Sequence, residues 1–332
     1  MSFESWRISR RTFSRFLAGF VVASSSAAIA QASKAVRRIG LLEPGAPDNS
    51  PEDVWAERLR EIGWVEGQNL KVERRYANGR LETLQPLAEE LVRARVEIVV
   101  TRGTPATLAA KRATTTIPIV FVSAGDPVLV GLVASLAQPG GNVTGYSIAS
   151  PEVTSKRLSL LKELLPLMQR IGALWDARNP LNQATRGQFE RVCQSLGLEP
   201  IVVEIGAADE FRGAIEQLTR QRAQALHLDS DFIWEHRFEV VDAATKRDLP
   251  TMADDEEMAR SAGALCAYSP TLDEASHIRA YHIDRILRGA RPTDLPVRQP
   301  TKFVLVINLK TARALGLAIP RQLLLRADEV IR

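Results

Sequence analysis

Histidine and cysteine are scarce in this chain: four and two residues out of 332. His227, His236, His277 and His282 form no metal spacing with cysteine or with one another, and His277 and His282 miss the i, i+4 register that two ligands on one helix face would need. The sequence has no G-x-S-x-G elbow, no G-x-x-x-x-G-K-[ST] loop and no G-x-G-x-x-G fingerprint. Those absences argue against zinc hydrolysis, serine hydrolysis, nucleotide cleavage and dinucleotide-dependent redox chemistry. Neither a cofactor nor a metal is expected. Cys193 falls within a predicted helix and Cys266 within a predicted strand. An oxidising compartment would permit a disulfide, but two buried, unpaired thiols are the simpler reading. A two-cysteine racemase would need a thiol beyond a strand in each lobe, and the mid-helix Cys193 does not fit.

Charge of one sign is also missing. The formal net charge is +4, yet residues 1–30 hold Arg7, Arg10, Arg11 and Arg15 against Glu4 alone. Beyond them stand 39 basic and 38 acidic residues, and no Lys/Arg run is interleaved with aromatics, so nucleic acid is not an expected partner. No later segment is apolar enough to span a bilayer.

The first thirty residues read as an export signal. Arginines precede an uncharged stretch from Phe16 to Ala30, which ends in the A-x-A site Ala28-Ile29-Ala30. Ser9-Arg10-Arg11-Thr12-Phe13 is similar to a twin-arginine motif, and a Sec signal is the alternative. No cysteine is near the cleavage site to take a lipid. A soluble, exported, periplasmic protein follows as the expectation.

From Arg38 onward, β-rich apolar runs alternate with amphipathic helix patterns. Continuous strands separated by helices predict parallel sheets covered on both faces. The predicted helices include Leu84–Arg93, Pro105–Arg112, Leu129–Ala137, Phe232–Lys246 and Leu272–Leu287. After about residue 150 the pattern restarts. The fold class is therefore α/β: two doubly wound parallel-sheet lobes joined by a three-crossing hinge. The first lobe is expected over residues 37–146 plus 269–295, and the second over 147–268 plus 300–332. Pro292, Pro296 and Pro300 oppose helix in the last crossing.

Ligands of open parallel sheets sit beyond the carboxyl ends of the strands. Read that way, the first lobe offers Gly45, Thr101, Gly103, Thr104, Ser123, Ala124 and Asp126 as candidate ligand-binding residues. Thr104, before Pro105, has the look of a helix N-cap, and Thr101 to Thr104 could receive a carboxylate. The second lobe offers Asp176, Asn179, Asp229, Asp231 and Asp254, of which one could hold an ammonium group and others would serve as caps. Tyr146 and Tyr268 stand at predicted crossings, where a ring could cover a ligand or pack the hinge. Trp55, Trp64 and Trp175 read as packing residues.

Three stretches carry a resemblance to a known family. They are Leu59-Arg60-Glu61-Ile62-Gly63-Trp64-Val65-Glu66-Gly67-Gln68-Asn69 with Glu73-Arg74-Arg75-Tyr76, Asp126-Pro127 through Pro139-Gly140-Gly141-Asn142-Val143-Thr144-Gly145, and Ile286 through Ala312 with its Leu295-Pro296-Val297-Arg298-Gln299-Pro300 core. Together they resemble the ABC transporter substrate-binding proteins related to tryptophan/tyrosine-type binding components, with the type I periplasmic-binding fold. The resemblance covers residues 37–320. It implies a receptor that closes on a small-molecule solute, possesses no catalytic set and presents its ligand to a membrane permease. It maps ligand loops onto Gly45, Thr101 to Thr104, Ser123 to Asp126, Tyr146, Asp176 and Asp229. Glu43-Pro44 and Ala267-Tyr268-Ser269 depart from the family pattern, which bears on the ligand class. A monomer is expected. The competing readings are an exported sensor subunit and an enzyme on the same fold.

Overall fold

The computed structural model describes residues 36–47, 52–148 and 151–332. The candidate export signal at residues 1–30 lies outside them. Five strands build the first sheet: β1 (Arg37–Glu43), β2 (Leu70–Tyr76), β3 (Ile98–Arg102), β4 (Ile119–Ala124) and β5 (Val143–Ser147). They lie in the order β2-β1-β3-β4-β5, every pair parallel. Both faces are covered, as the near-continuous burial of β1 and β3 requires. Helices α2 (Leu84–Arg93) and α3 (Gly103–Ala113) take one face, where Leu84, Leu91, Ala106 and Ala109 meet Val99 and Phe121. The opposite face holds α1 (Glu52–Glu61) and a helix from much later in the chain, α10 (Leu272–Leu287). There Trp55, Leu59, Ile283 and Leu287 pack on Ile39, Leu41 and Val100.

The second sheet repeats the plan. Strands β6 (Arg170–Asp176), β7 (Glu199–Ile205), β8 (Ala225–Leu228), β9 (Thr251–Ala253) and β10 (Cys266–Pro270) run parallel in the spatial order β7-β6-β8-β9-β10. This is the same winding as in the first sheet. Beyond β10 come β11 (Phe303–Asn308), antiparallel to it, and β12 (Glu329–Ile331), parallel to β11. The flanking helices are α4 (Pro151–Leu164), α5 (Pro180–Ser195), α6 (Phe211–Arg220), α7 (Asp231–Glu235), α8 (Arg237–Thr245), α9 (Glu256–Arg260), α11 (Leu309–Ala314) and α12 (Arg321–Arg326).

The chain passes between the sheets three times: after β5, between β10 and α10, and between Arg298 and β11. The first and third passages are paired, since Ser147 N donates to Arg298 O at 3.0 Å and Arg298 N donates to Gly145 O at 2.9 Å. Thr271 N donates to Lys302 O at 3.2 Å and ties the second passage to the third.

Three local expectations change. The Leu129–Ala137 stretch is a series of turns, not a helix. Asp126 Oδ1 accepts from Val128 N and Leu129 N, Gly131 takes φ +71°, and Leu132 N and Val133 N both donate to Pro127 O. Leu132 and Val133 still reach the core, so the apolar pattern was that of a buried loop. The Phe232–Lys246 helix is two helices that meet at His236. Helix α3 starts at Gly103, one residue ahead of Thr104, so Thr104 is not the N-cap. Helices α9 and α12 and strand β12 are short and carried no readable period.

Candidate functional site

A cavity of about 370 Å³ opens between the lobes, beside the chain crossings. Its size is in the range of small-molecule sites. The first lobe contributes Trp55 from α1 and Tyr146 from β5. Opposite them the second lobe presents Trp234, then Asp254 and Asp255 just beyond β9. Ser269 on β10 and Arg279 on α10 line it from the crossing side. The Arg279 guanidinium lies 5.5 Å from the centroid of the Trp55 ring. Trp55 Nε1 and Ser269 Oγ are buried without a hydrogen-bond partner among the described residues, as is Arg237 Nε on the opposite wall, while the Tyr146 hydroxyl faces the Glu274 carboxylate.

Arg237 and Arg260 line the same cavity as the carboxyls of the other wall. Burial, with Asp229 close by, pushes Asp254 well above the ordinary carboxylate range. Burial also raises Asp255, which caps α9 by accepting from Glu257 N at 2.8 Å. Asp229, half-exposed at its side chain, moves the other way: desolvation opposes its charge, but His227 and Arg157 hold the charged form and lower it. Arg157, on α4, fixes this corner. It donates to Asp229 Oδ2 at 2.9 Å and to Tyr268 O at 2.8 Å.

Away from the crossings, the lobes touch through a cluster of ions. Arg102, at the end of β3, donates from Nε to Glu43 Oε2 and from Nη2 to Glu235 Oε1, each at 2.7 Å. Asp231 Oδ1 stands 3.9 Å from its Nη1. Glu43 belongs to the first lobe, whereas Asp231 and Glu235 come from α7 of the second. One guanidinium thus serves three carboxylates. Burial pushes the Asp231 carboxyl up to about 6, Arg102 opposes that rise, and Glu43, Glu235 and Asp229 add to it. The approach is close enough to require glycine: a Cβ on Gly45 would enter the Glu235 carboxylate, and one on Gly103 would enter that of Asp231. Arg178 also bridges the lobes, donating to Gly79 O at 3.0 Å while its guanidinium sits over Phe232. The cleft is therefore closed.

The residues expected from sequence spread over three places. Tyr146 and Asp254 line the large cavity. Asp126 and Asp229 line a smaller one of about 70 Å³, walled by the Trp175–Phe189 edge-to-face pair. Asp176, Asn179 and Asp231 stand around a gap of about 20 Å³ at the interlobe contact, with Gly45 and Gly103 nearby. Asp176 is bound to Arg178 at 2.8 Å, and Asn179 caps α5 by accepting from Leu181 N. Thr101 Oγ1 lies 2.8 Å from Thr107 Oγ1, and Thr104 Oγ1 accepts from Gly125 N at 3.1 Å. The Tyr268 ring stacks on Phe303 at 5.1 Å and does not line the large cavity. The side chains of Ser123 and Ala124 lie outside the described set. Sequence reasoning passed over Trp55, Trp234, Asp255, Ser269 and Arg279. Trp55 does pack on the core, as read, but its indole N–H faces the other way. The usable signal was α10: a helix that leaves the second sheet to cover the first must run past the hinge.

A family described as ABC transporter substrate binding protein matches residues 53–331. A tyrosine-binding protein of Clostridioides difficile is 27% identical over 289 residues, which cover 86% of this chain and 82% of that protein. An ABC domain from Streptococcus pneumonia, solved in complex with L-Trp, is 26% identical. It superimposes with a TM-score of 0.81 over 89% of this chain and 99% of its own. A conserved domain protein from Vibrio cholerae, 24% identical, has the same fold with a TM-score of 0.83 over 89% of this chain and 99% of its own.

Proposed function

The chain belongs to the ABC transporter substrate-binding protein family, and from that premise we propose that it is an exported receptor which captures one small organic solute between its lobes and delivers it to a membrane permease. The observation that carries this reading is the interlobe cavity, walled by both lobes and left with unspent polar groups. A solute touching both walls stabilises the closed arrangement over the open one, and only such differential contact can drive closure. Tyrosine and tryptophan are the first solutes to try, because the relatives above are described as binding them. The export pattern in residues 1–30 supports a periplasmic site of action. The protein is proposed to act as a monomer without turnover. Among the described residues no group of three or more His, Cys, Asp or Glu could hold a metal, and no helix is long and apolar enough to cross a membrane.

The test is native mass spectrometry of the purified protein, followed by thermal shift with whatever mass it carries. A one-to-one adduct that raises Tm in a saturable way is expected, since a ligand at 100 times its Kd adds about 2.7 kcal/mol to the native state. A protein that carries nothing and shows no shift with any of a broad set of metabolites would overturn the receptor reading.

A further inference from the structure

The three chain passages between the lobes meet at one carboxylate. Thr271-Leu272-Asp273-Glu274 has the spacing of a capping box, in which the glutamate of the first helical turn reaches back to the N-cap amide. Half of that box forms: Thr271 Oγ1 accepts from Glu274 N at 3.4 Å and caps α10. The other half does not. Thr271 N donates to Lys302 O instead, and the Glu274 carboxylate crosses to the third passage. There Oε1 accepts from Thr301 Oγ1 at 2.5 Å, and Oε2 accepts from Thr301 N and Lys302 N, each at 3.1 Å. The first passage reaches the same group through Tyr146 on β5, whose hydroxyl faces Glu274 and whose backbone is bridged to Arg298. Burial opposes the Glu274 charge, but the Thr301 hydroxyl and the amides of Lys302 and Thr301 hold its carboxyl below the usual range, so these donors face an anion. Helix α10 covers the first sheet, whereas Thr301 and Lys302 lead into β11 of the second. The bonds therefore cross the hinge.

We propose that Glu274 is the positioning residue of the hinge: it holds Tyr146 in the cavity wall and the Thr301–Lys302 segment against α10, so that solute contact at Tyr146 and the angle between the lobes are set through one side chain. This goes beyond the receptor reading and rests on it for the motion that is controlled. Three backbone passages alone make a soft hinge, because a few residues absorb the φ/ψ change of closure. Hydrogen bonds to an ionised carboxylate are roughly twice as strong as neutral ones, and three of them tie the third passage to the first lobe. A glutamate that served only as a cap would bond the Thr271 amide and leave that passage alone. Thr301 and Lys302 are themselves exposed, so the carboxylate is what orders their amides. Tyr146 lines the cavity, and its hydroxyl anchors the same carboxylate from the other side. A shift of the ring therefore loosens the third passage, and a ring held by a solute stiffens it.

The experiment is native-state hydrogen exchange and small-angle scattering on the ligand-free wild type, Glu274→Gln, Tyr146→Phe and the double variant, with Tm by circular dichroism as the control for the fold. Glutamine keeps the shape of the side chain and removes its charge. Glu274→Gln should speed exchange of the Thr301 and Lys302 amides about tenfold or more, the range of a hydrogen bond to a charged group. It should also raise the radius of gyration and leave the core-strand amides of Val99 and Leu226 at wild-type rates. Tyr146→Phe removes one anchor of the carboxylate. It should speed the same two amides about threefold or more in the wild-type background and not at all beside Glu274→Gln. Unchanged rates at Thr301 and Lys302, uniform acceleration across both sheets, or an unchanged radius of gyration overturns the proposal. So does a Tyr146→Phe effect that is absent in the wild type or equal in both backgrounds. Should Glu274→Gln fail to fold, Thr301→Val, which removes one donor and keeps the side-chain shape, takes its place and is read at the Lys302 amide with the same outcomes. None of these results touches the receptor reading, which the adduct mass and the solute-induced Tm shift decide.

Discussion

Asp231 offers a sharp test of how the lobes meet. Its carboxyl is pressed against Glu43 and Glu235 around a single Arg102, with Asp229 also facing it, and burial raises it from 3.8 to about 6. Its side chain is 24% exposed, so most of that rise survives screening by solvent. Opening the cleft returns the group to water and to an ordinary carboxylate value. The group is thus raised on closing, and closing takes up a proton. Its contribution to closure is fully present below the open-state value and is lost as pH rises through about 6. At neutral pH the ionised form therefore costs the closed state about 3 kcal/mol, at ~1.4 kcal/mol for each pKa unit. Between pH 7.5 and pH 5 the closed-to-open ratio of the ligand-free protein should rise about tenfold from this group alone, or ~1.4 kcal/mol. Small-angle scattering would follow this as a fall in radius of gyration on acidification. Asp231→Asn should be more closed than wild type at pH 7.5 and should show a flatter profile. Asp254 and Asp255 shift in the same direction, and the comparison with the variant isolates Asp231. A variant whose profile runs parallel to that of the wild type, or a wild type that opens on acidification, would refute the reasoning.

Three other consequences can be checked separately. Gly145 sits in β5 at φ +153°, and a Cβ there would strike the backbone of Phe121 on β4; Gly145→Ala should destabilise the fold by more than about 2 kcal/mol, read as a clear drop in Tm by circular dichroism, and an unchanged Tm would contradict the register. Arg157 is 3% exposed and holds Asp229 and the β10 backbone together, so Arg157→Met should cost about 1–3 kcal/mol in denaturant titrations, because the Tyr268 carbonyl and the partly exposed Asp229 lose their donor, and an unchanged midpoint would contradict these contacts. Cys193 and Cys266 are free and buried, and burial pushes both thiols up to about 12; a thiol reagent should find none in the native protein at pH 8 and two in denaturant, and rapid native labelling of either would be incompatible with these positions.

The lobes were legible because parallel strands buried on both faces write themselves as continuous β-rich runs, and the helices Leu84–Arg93 and Leu272–Leu287 came out with the observed limits. The stretch after Asp126 was misread because buried loops and helices share an apolar composition, and only Gly131 at positive φ separates them. The shared winding of the two sheets was invisible because strand order is a property of long-range pairing, to which a pattern along the chain is blind. Site residues were harder for the same reason. The rule that ligands lie beyond strand ends located Asp254 at the large cavity, and the predicted chain crossing located Tyr146 there, but Trp55 and Arg279 come from helix faces that look like ordinary packing surface. Gly45, Gly103 and Asp231 do lie beyond strands, as the rule required, and the structure gives them to the contact between lobes.

That contact explains why closure need not be one-sided. Arg102 is already matched by Glu43 within its own lobe, at 2.7 Å and almost fully buried, so the first lobe does not require the second to neutralise it. Docking α7 adds Glu235, which gains a hydrogen bond to the same guanidinium, and Asp231, which is raised by its company. One carboxylate favours the closed form and the other opposes it. Their opposition leaves the cluster far weaker as a clasp than its short distances suggest. A cleft balanced in this way is sensitive to a few kcal/mol from elsewhere, the order of energy that a solute touching both walls of the cavity would supply. Arg102 also lines the cavity and faces the Trp234 ring at 5.1 Å, so the charges that set the resting balance adjoin the space a solute would fill.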